Sequence, residues 1–148
     1  MKFSYVSFCF FLIAVCFLCG CSDQDDSMSD DVVIADNLSF EMISIQGDGS
    51  FGVDECKLRG VEDKVVMITS KYCGACKRTL PEFLEACDEM GVEPMVLDIT
   101  IDSDKEMIKS FRVEAHVTPT FLFGCNYYIG SVPKEVYTER LENFLLGD

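Results

Sequence analysis

The chain has 148 residues, enough for about one domain. Twelve basic residues stand against 26 acidic ones, a formal net charge of −14. A surface that acidic repels phosphate backbones and anionic headgroups, which argues against nucleic acid as a partner and against electrostatic adhesion to lipid.

In chain order, Met1-Lys2 is followed by an uncharged apolar run over residues 3–19, the n-region and h-region of an export signal. The run closes on Leu18-Cys19-Gly20-Cys21, which resembles the lipobox of a prokaryotic lipoprotein signal peptide. That resemblance implies lipidation of Cys21, cleavage ahead of it, and a mature protein held at a membrane on the extracytoplasmic side of the cell envelope. The alternative is an uncleaved spanning helix, for which so short a run is barely long enough. Removing residues 1–21 takes one of the 12 basic residues and no acid, leaving 11 against 26 and a net charge of −15. Residues 22–38, rich in Asp and Ser and without aromatics, read as a flexible tether. Residues 39–148 are then the folded domain.

Within that domain "FEMISI" (40–45) has strand character and ends at the Gly47-Asp48-Gly49 turn. Residues 51–58 can form a short helix. "VVMITS" (65–70) is a β-branched apolar run suited to a strand buried on both faces. Beyond the next cysteines, Leu80, Phe83, Leu84, Cys87 and Met90 recur at helical spacing, with Gly91 placed for a C-cap. "EPMVLDITI" (93–101) reads as another strand, then Asp102 or Ser103 as cap of a helix containing Met107, Ile108 and Phe111. "TPTFLFG" (118–124) and "YYIGSV" (127–132) form a hairpin across Cys125-Asn126, and residues 134–146 close as an amphipathic helix with Val136, Leu141, Phe144 and Leu145 apolar. The order β-α-β-α-β-α-β-β-α predicts an α/β fold, a central mixed sheet flanked by helices on both faces.

Cys73-Gly74-Ala75-Cys76 falls between the second strand and its helix. Such a pair can be a redox couple, half of a metal site, or two core cysteines. Lys71, Gly74 and Lys77 mark an exposed junction rather than a core. At a helix start the first sulfur lies near unpaired backbone N–H groups, which with the helix dipole favour a thiolate. Cys76, further in, is placed to attack a mixed disulfide formed by Cys73. Zinc would want more ligands than one Cys-x-x-Cys provides, and Lys77 occupies the position where covalent haem attachment needs His.

Cys-Gly-Ala-Cys-Lys at a strand-to-helix junction, Pro81 in the following helix, Val117-Thr118-Pro119-Thr120 before a hairpin, and Gly130 in the last strand together resemble the thioredoxin-fold thiol–disulfide oxidoreductases. The resemblance spans about residues 40–146. It implies a redox-active Cys73/Cys76 pair tuned by Lys71, Tyr72, Gly74, Ala75 and Lys77. It also implies a cis Pro119 whose preceding Thr118 faces the pair and pairs main-chain groups with an extended substrate. No metal or other cofactor is implied; the expected partners are protein thiols and disulfides of the envelope and a redox partner, for a monomer. The sequence departs from thioredoxin proper: Met67 stands where the buried acid would fall, Tyr72 replaces Trp, and Ala75 replaces Pro. Redox families of this kind span about 150 mV, so the direction of electron flow stays open. A metal-delivery module and a redox-silent binding scaffold are the alternative functions.

Of the remaining cysteines, Cys87 falls on an apolar helix stripe and reads as core, Cys125 at the hairpin tip reads as an exposed free thiol, and Cys56 has no assignable partner. The odd set of five does not suggest a stapled scaffold. His116, the one histidine, reads as a surface residue.

Overall fold

The computed structural model describes residues 41–147; the export signal, Cys21 and the whole tether lie outside them. The elements are β1 (Ile43–Ile45), β2 (Gly49–Ser50), α1 (Val53–Arg59), β3 (Val65–Thr69), α2 (Gly74–Glu89), β4 (Met95–Asp98), α3 (Asp102–Ser110), β5 (Val113–Ala115), β6 (Thr120–Phe123), β7 (Asn126–Ile129) and α4 (Lys134–Leu146). A five-stranded sheet runs in the order β2-β7-β6-β3-β4, and β1 forms a separate parallel pair with β5. In the larger sheet β3–β4 is parallel and the other pairings are antiparallel. This is the expected α/β architecture with a mixed sheet.

The apolar runs of β3 and β6 follow from their position. Along β3, Val66 and Ile68 enter one core while Val65 and Met67 enter the other; along β6, Leu122 serves the first and Phe121 and Phe123 the second. A strand buried on both faces has no polar positions to spare. The first core also holds Cys56 of α1 and Ile108 of α3, and the second holds Phe83 and Cys87 of α2 and Tyr137 and Leu141 of α4. Helices therefore cover both faces.

The structure departs from the sequence reading mostly at edges. Strands β2 and β5, too short to stand out as periodic runs, were not expected. The run over 93–101 yields only Met95–Asp98 as strand, because the Asp98 carboxylate accepts the N–H and hydroxyl of Thr100 and turns the chain. Ile101, not Asp102 or Ser103, is the N-cap of α3, without a side-chain cap; within α3 Met107 is exposed while Ile108 is buried. The hairpin turns at Gly124-Cys125, one residue early, because Gly124 adopts φ 58°. A Cβ there would lie 3.0 Å from the Glu62 carbonyl oxygen and 3.0 Å from the Phe144 ring. In α4 the buried ridge is Tyr137 and Leu141, whereas Leu145 is exposed. Tyr137 can be buried whole because its hydroxyl accepts the Val132 N–H at 3.1 Å. Helix α2 ends as expected at Gly91, φ 67°, where Val92 N–H reaches Cys87 O at 2.9 Å and Gly91 N–H reaches Asp88 O at 3.1 Å, a Schellman closure.

Arg59 is an unexpected member of the interior, only 3% exposed. It ion-pairs with Glu55 one turn back and donates to the carbonyls of Phe111 (3.2 Å), Glu41 (3.3 Å) and Arg112. One side chain thus ties α1 to the α3–β5 turn and to the chain entering β1. Arg59→Met should remove those donors while keeping the stem, leaving the carbonyls short of partners. The expected loss is about 2–4 kcal/mol, read as a lower urea midpoint at unchanged slope.

Candidate functional site

The site is assembled where β3 ends. Cys73 N–H bonds to Ser70 O at 2.9 Å, and Tyr72 N–H reaches the Ser70 hydroxyl at 3.3 Å, so residues 70–73 make a tight turn off the strand. Cys73 is the N-cap of α2 and its sulfur accepts the Cys76 N–H at 3.0 Å. Cys73 and Cys76 are disulfide-bonded. The first turn carries no acidic residue, so no fixed negative charge there opposes one on sulfur. Cys76 is 2% exposed and packs with Met67, Phe83 and Phe121, whereas Cys73 is half-buried. Within one disulfide, then, one sulfur is open to a partner and the other is not.

The opposite wall is the loop ahead of β6. The Thr118–Pro119 peptide is cis, and Thr118 O lies 3.3 Å from the Cys73 sulfur. Since a disulfide sulfur has no proton to give, this is a contact now and a place for a hydrogen bond once Cys73 is a thiol. The loop is held on both sides: Thr120 Oγ1 donates to Val117 O at 2.6 Å and Gly130 N–H to Pro119 O at 2.8 Å. The structure brings Cys73, Cys76 and Thr118 together, with Pro119 buried behind them.

The residues expected to tune the pair are distributed less evenly. Lys71, Tyr72, Gly74 and Lys77 are exposed and Ala75 half-buried. Tyr72 is 80% exposed, with the Lys71 ammonium 5.0 Å from its ring centroid. Val117, 42% exposed, adds a second apolar side chain beside Thr118. Met67 lies fully buried in the core that holds Cys76, so an apolar side chain occupies the place of the buried acid. His116 is on the surface, 3.5 Å from Glu114.

Sequence reasoning missed Asp98. Desolvation works against its charge, but hydrogen bonds from Thr100 and from the Lys71 backbone, with the Lys71 charge, hold its carboxyl below the usual range. It fastens the start of the Cys73 turn to the end of β4. A cavity of about 620 Å³ lined by Arg78, Glu82, Val132 and Lys134 includes neither cysteine. Half-buried Cys73 beside the Thr118 main chain suits a chain laid across it rather than a small enclosed ligand.

The other cysteines correct one expectation and match another. Cys56 and Cys125 are bonded to each other, so Cys125 is not a free thiol and Cys56 has a partner. Parity carried the signal: with Cys73/Cys76 set aside and Cys87 in the core, these two remain. Cys87 is buried and free, and burial pushes its thiol up to about 12 from 9.0. The folded state holds that proton after the unfolded chain has released it, so stability should fall between about pH 9 and 12, by about 1.4 kcal/mol per unit. Cys87→Ala should flatten that alkaline slope in urea melts across the range.

A family model described as Thioredoxin matches residues 56–145, from Cys56 in α1 to the end of α4. No curated protein matches the chain significantly.

Proposed function

The chain belongs to the thioredoxin family, and from that premise we propose that it is a thiol–disulfide oxidoreductase in which Cys73 exchanges with substrate and Cys76 resolves. In the reduced protein the Cys73 thiolate attacks a substrate disulfide; the Cys73–substrate bond forms and one substrate thiolate leaves. Cys76 then gives up its proton and attacks the Cys73 sulfur. The mixed disulfide breaks, the second substrate thiolate leaves, and Cys73–Cys76 re-forms. Two electrons pass from protein to substrate; run backwards, the same steps oxidise a dithiol. The redox partner sets the direction.

The observation that carries this reading is the Cys76 N–H directed at the Cys73 sulfur at 3.0 Å at the start of α2. The donor stabilises negative charge on the more exposed of the two sulfurs. It follows that reduced Cys73 should be alkylated by iodoacetamide with a pH midpoint below the ~8.5 of free cysteine. Mass mapping across a pH series measures it; a midpoint at or above that value would remove Cys73 from the role. Thr118 main-chain groups, flanked by exposed Tyr72 and Val117, support recognition of extended polypeptide with little side-chain selectivity. Reduction of insulin by the dithiol form is the direct activity test.

Leu18-Cys19-Gly20-Cys21 supports a mature form anchored through acylated Cys21 and acting on envelope proteins. Cys21→Ala should abolish lipid labelling and processing at that residue. Unchanged processing would overturn the anchor.

A further inference from the structure

The second disulfide, like the first, joins a half-buried sulfur to a buried one, but it differs in what surrounds the buried sulfur. Cys56 is the fourth residue of the seven-residue α1, fully buried in the core with Phe51, Val61, Val66 and Leu122. Cys125, half-buried, sits in the turn that ends β6, at the opposite end of that strand from Pro119. An incoming thiolate could approach only the Cys125 sulfur, and the sulfur it displaced would be that of Cys56. That leaving thiolate would form in an apolar interior. The Cys56 N–H is already spent on Gly52 O at 2.8 Å, and Asp54 and Glu55 stand just ahead of it. The nearby cation, Arg59, is engaged by Glu55 and three carbonyls. The first pair also has a buried leaving sulfur in Cys76, but there the Cys76 N–H is directed at sulfur rather than at a carbonyl and no acid stands in the first turn.

We infer that Cys56–Cys125 is a resident disulfide that stays closed while Cys73–Cys76 cycles, and that it braces the loop facing the active pair from the far end of the fold. Through this bond α1 holds the far end of β6, the strand that leads from Pro119. Through Arg59 the same helix holds the Phe111 and Arg112 carbonyls just before β5, the strand that leads into the loop. Phe51 N–H adds a bond to Cys125 O at 2.8 Å beside the disulfide. Forming the disulfide removes two protons and two electrons from two thiols, the acceptor being another disulfide, itself reduced to two thiols.

The assignment rests on placement and on the surroundings of Cys56, and its test is independent of whether Cys73 and Cys76 act on proteins. The oxidised full chain is exposed to graded dithiothreitol under native conditions in which Cys87 stays unlabelled, and is alkylated with iodoacetamide. It is then unfolded, fully reduced and alkylated with N-ethylmaleimide, and each cysteine is mapped by mass spectrometry. Cys73 and Cys76 should take iodoacetamide while Cys56 and Cys125 take only N-ethylmaleimide, with reduction of the second pair slower by about 100-fold or more, because the Cys56 N–H is already spent and two acids precede the leaving sulfur. Reduction of both pairs within about tenfold of one another would make Cys56–Cys125 a second exchanging site and overturn the inference. Iodoacetamide on Cys56 and Cys125 without any dithiothreitol would overturn it equally, by showing that the bond does not form.

Discussion

Cys76→Ala should turn the protein into a covalent trap for its own substrates. In the proposed exchange, the mixed disulfide on Cys73 is resolved by a sulfur already within bonding distance, since the two form a disulfide in the oxidised protein. An intramolecular thiol so placed acts at an effective concentration of about 10⁵ M or more in well-oriented systems, far above any free thiol. Without it, complexes must wait for external thiols and should accumulate by orders of magnitude. Cys73→Ala should trap almost nothing, because the remaining sulfur is 2% exposed and cannot reach a bulky partner. Cys87→Ala should match the parent. Non-reducing gels of whole-cell extracts, followed by mass spectrometry of partners released by reductant, give the readout. Equal trapping by the Cys73 and Cys76 variants, or none by either, would refute the proposed division of roles.

What the sequence disclosed depended on how locally each feature is determined. β3 and β6 were legible because burial on both faces leaves a continuous apolar run, and α2 because its stripe runs from Leu80 to Met90 and stops at a glycine whose positive φ closes the helix. The pair itself was legible because its chemistry is local: two sulfurs, a helix start and the spacing between them. Features made by distant residues were not. Strand β5 exists through parallel pairing with β1, some seventy positions earlier. Arg59 looks like an ordinary surface arginine, and only the fold brings the carbonyls of Phe111 and Arg112 to it. Tyr137 is outside the apolar set expected of α4, since a phenol reads as half-polar, yet one backbone N–H from Val132 satisfies its hydroxyl and makes full burial tolerable.

The Cys56–Cys125 bond belongs to the same class of distant effects, and its removal should produce the largest loss of stability among these substitutions. It joins residues 69 positions apart, so the unfolded chain with the bond intact is closed into a loop covering most of the domain. The chain-entropy relation puts that restriction at about 4 kcal/mol, a large fraction of the 5–15 kcal/mol that holds a typical domain together. Replacing both residues by Ala removes the cross-link without leaving an unpaired thiol that could react with Cys73. Because Cys56 is fully buried, loss of its sulfur also leaves a small void in the core it shares with Phe51 and Val61. The Cys56→Ala/Cys125→Ala protein should therefore melt on the order of 15 °C below the parent. Its Cys73–Cys76 bond should still form, since the α2 N-terminus draws on neither residue. Calorimetry of parent and variant, each fully oxidised at Cys73–Cys76, makes the comparison. A difference below about 1 kcal/mol would mean that the unfolded chain gains little freedom when the cross-link is cut, and that α1 is held by Arg59 and the core alone.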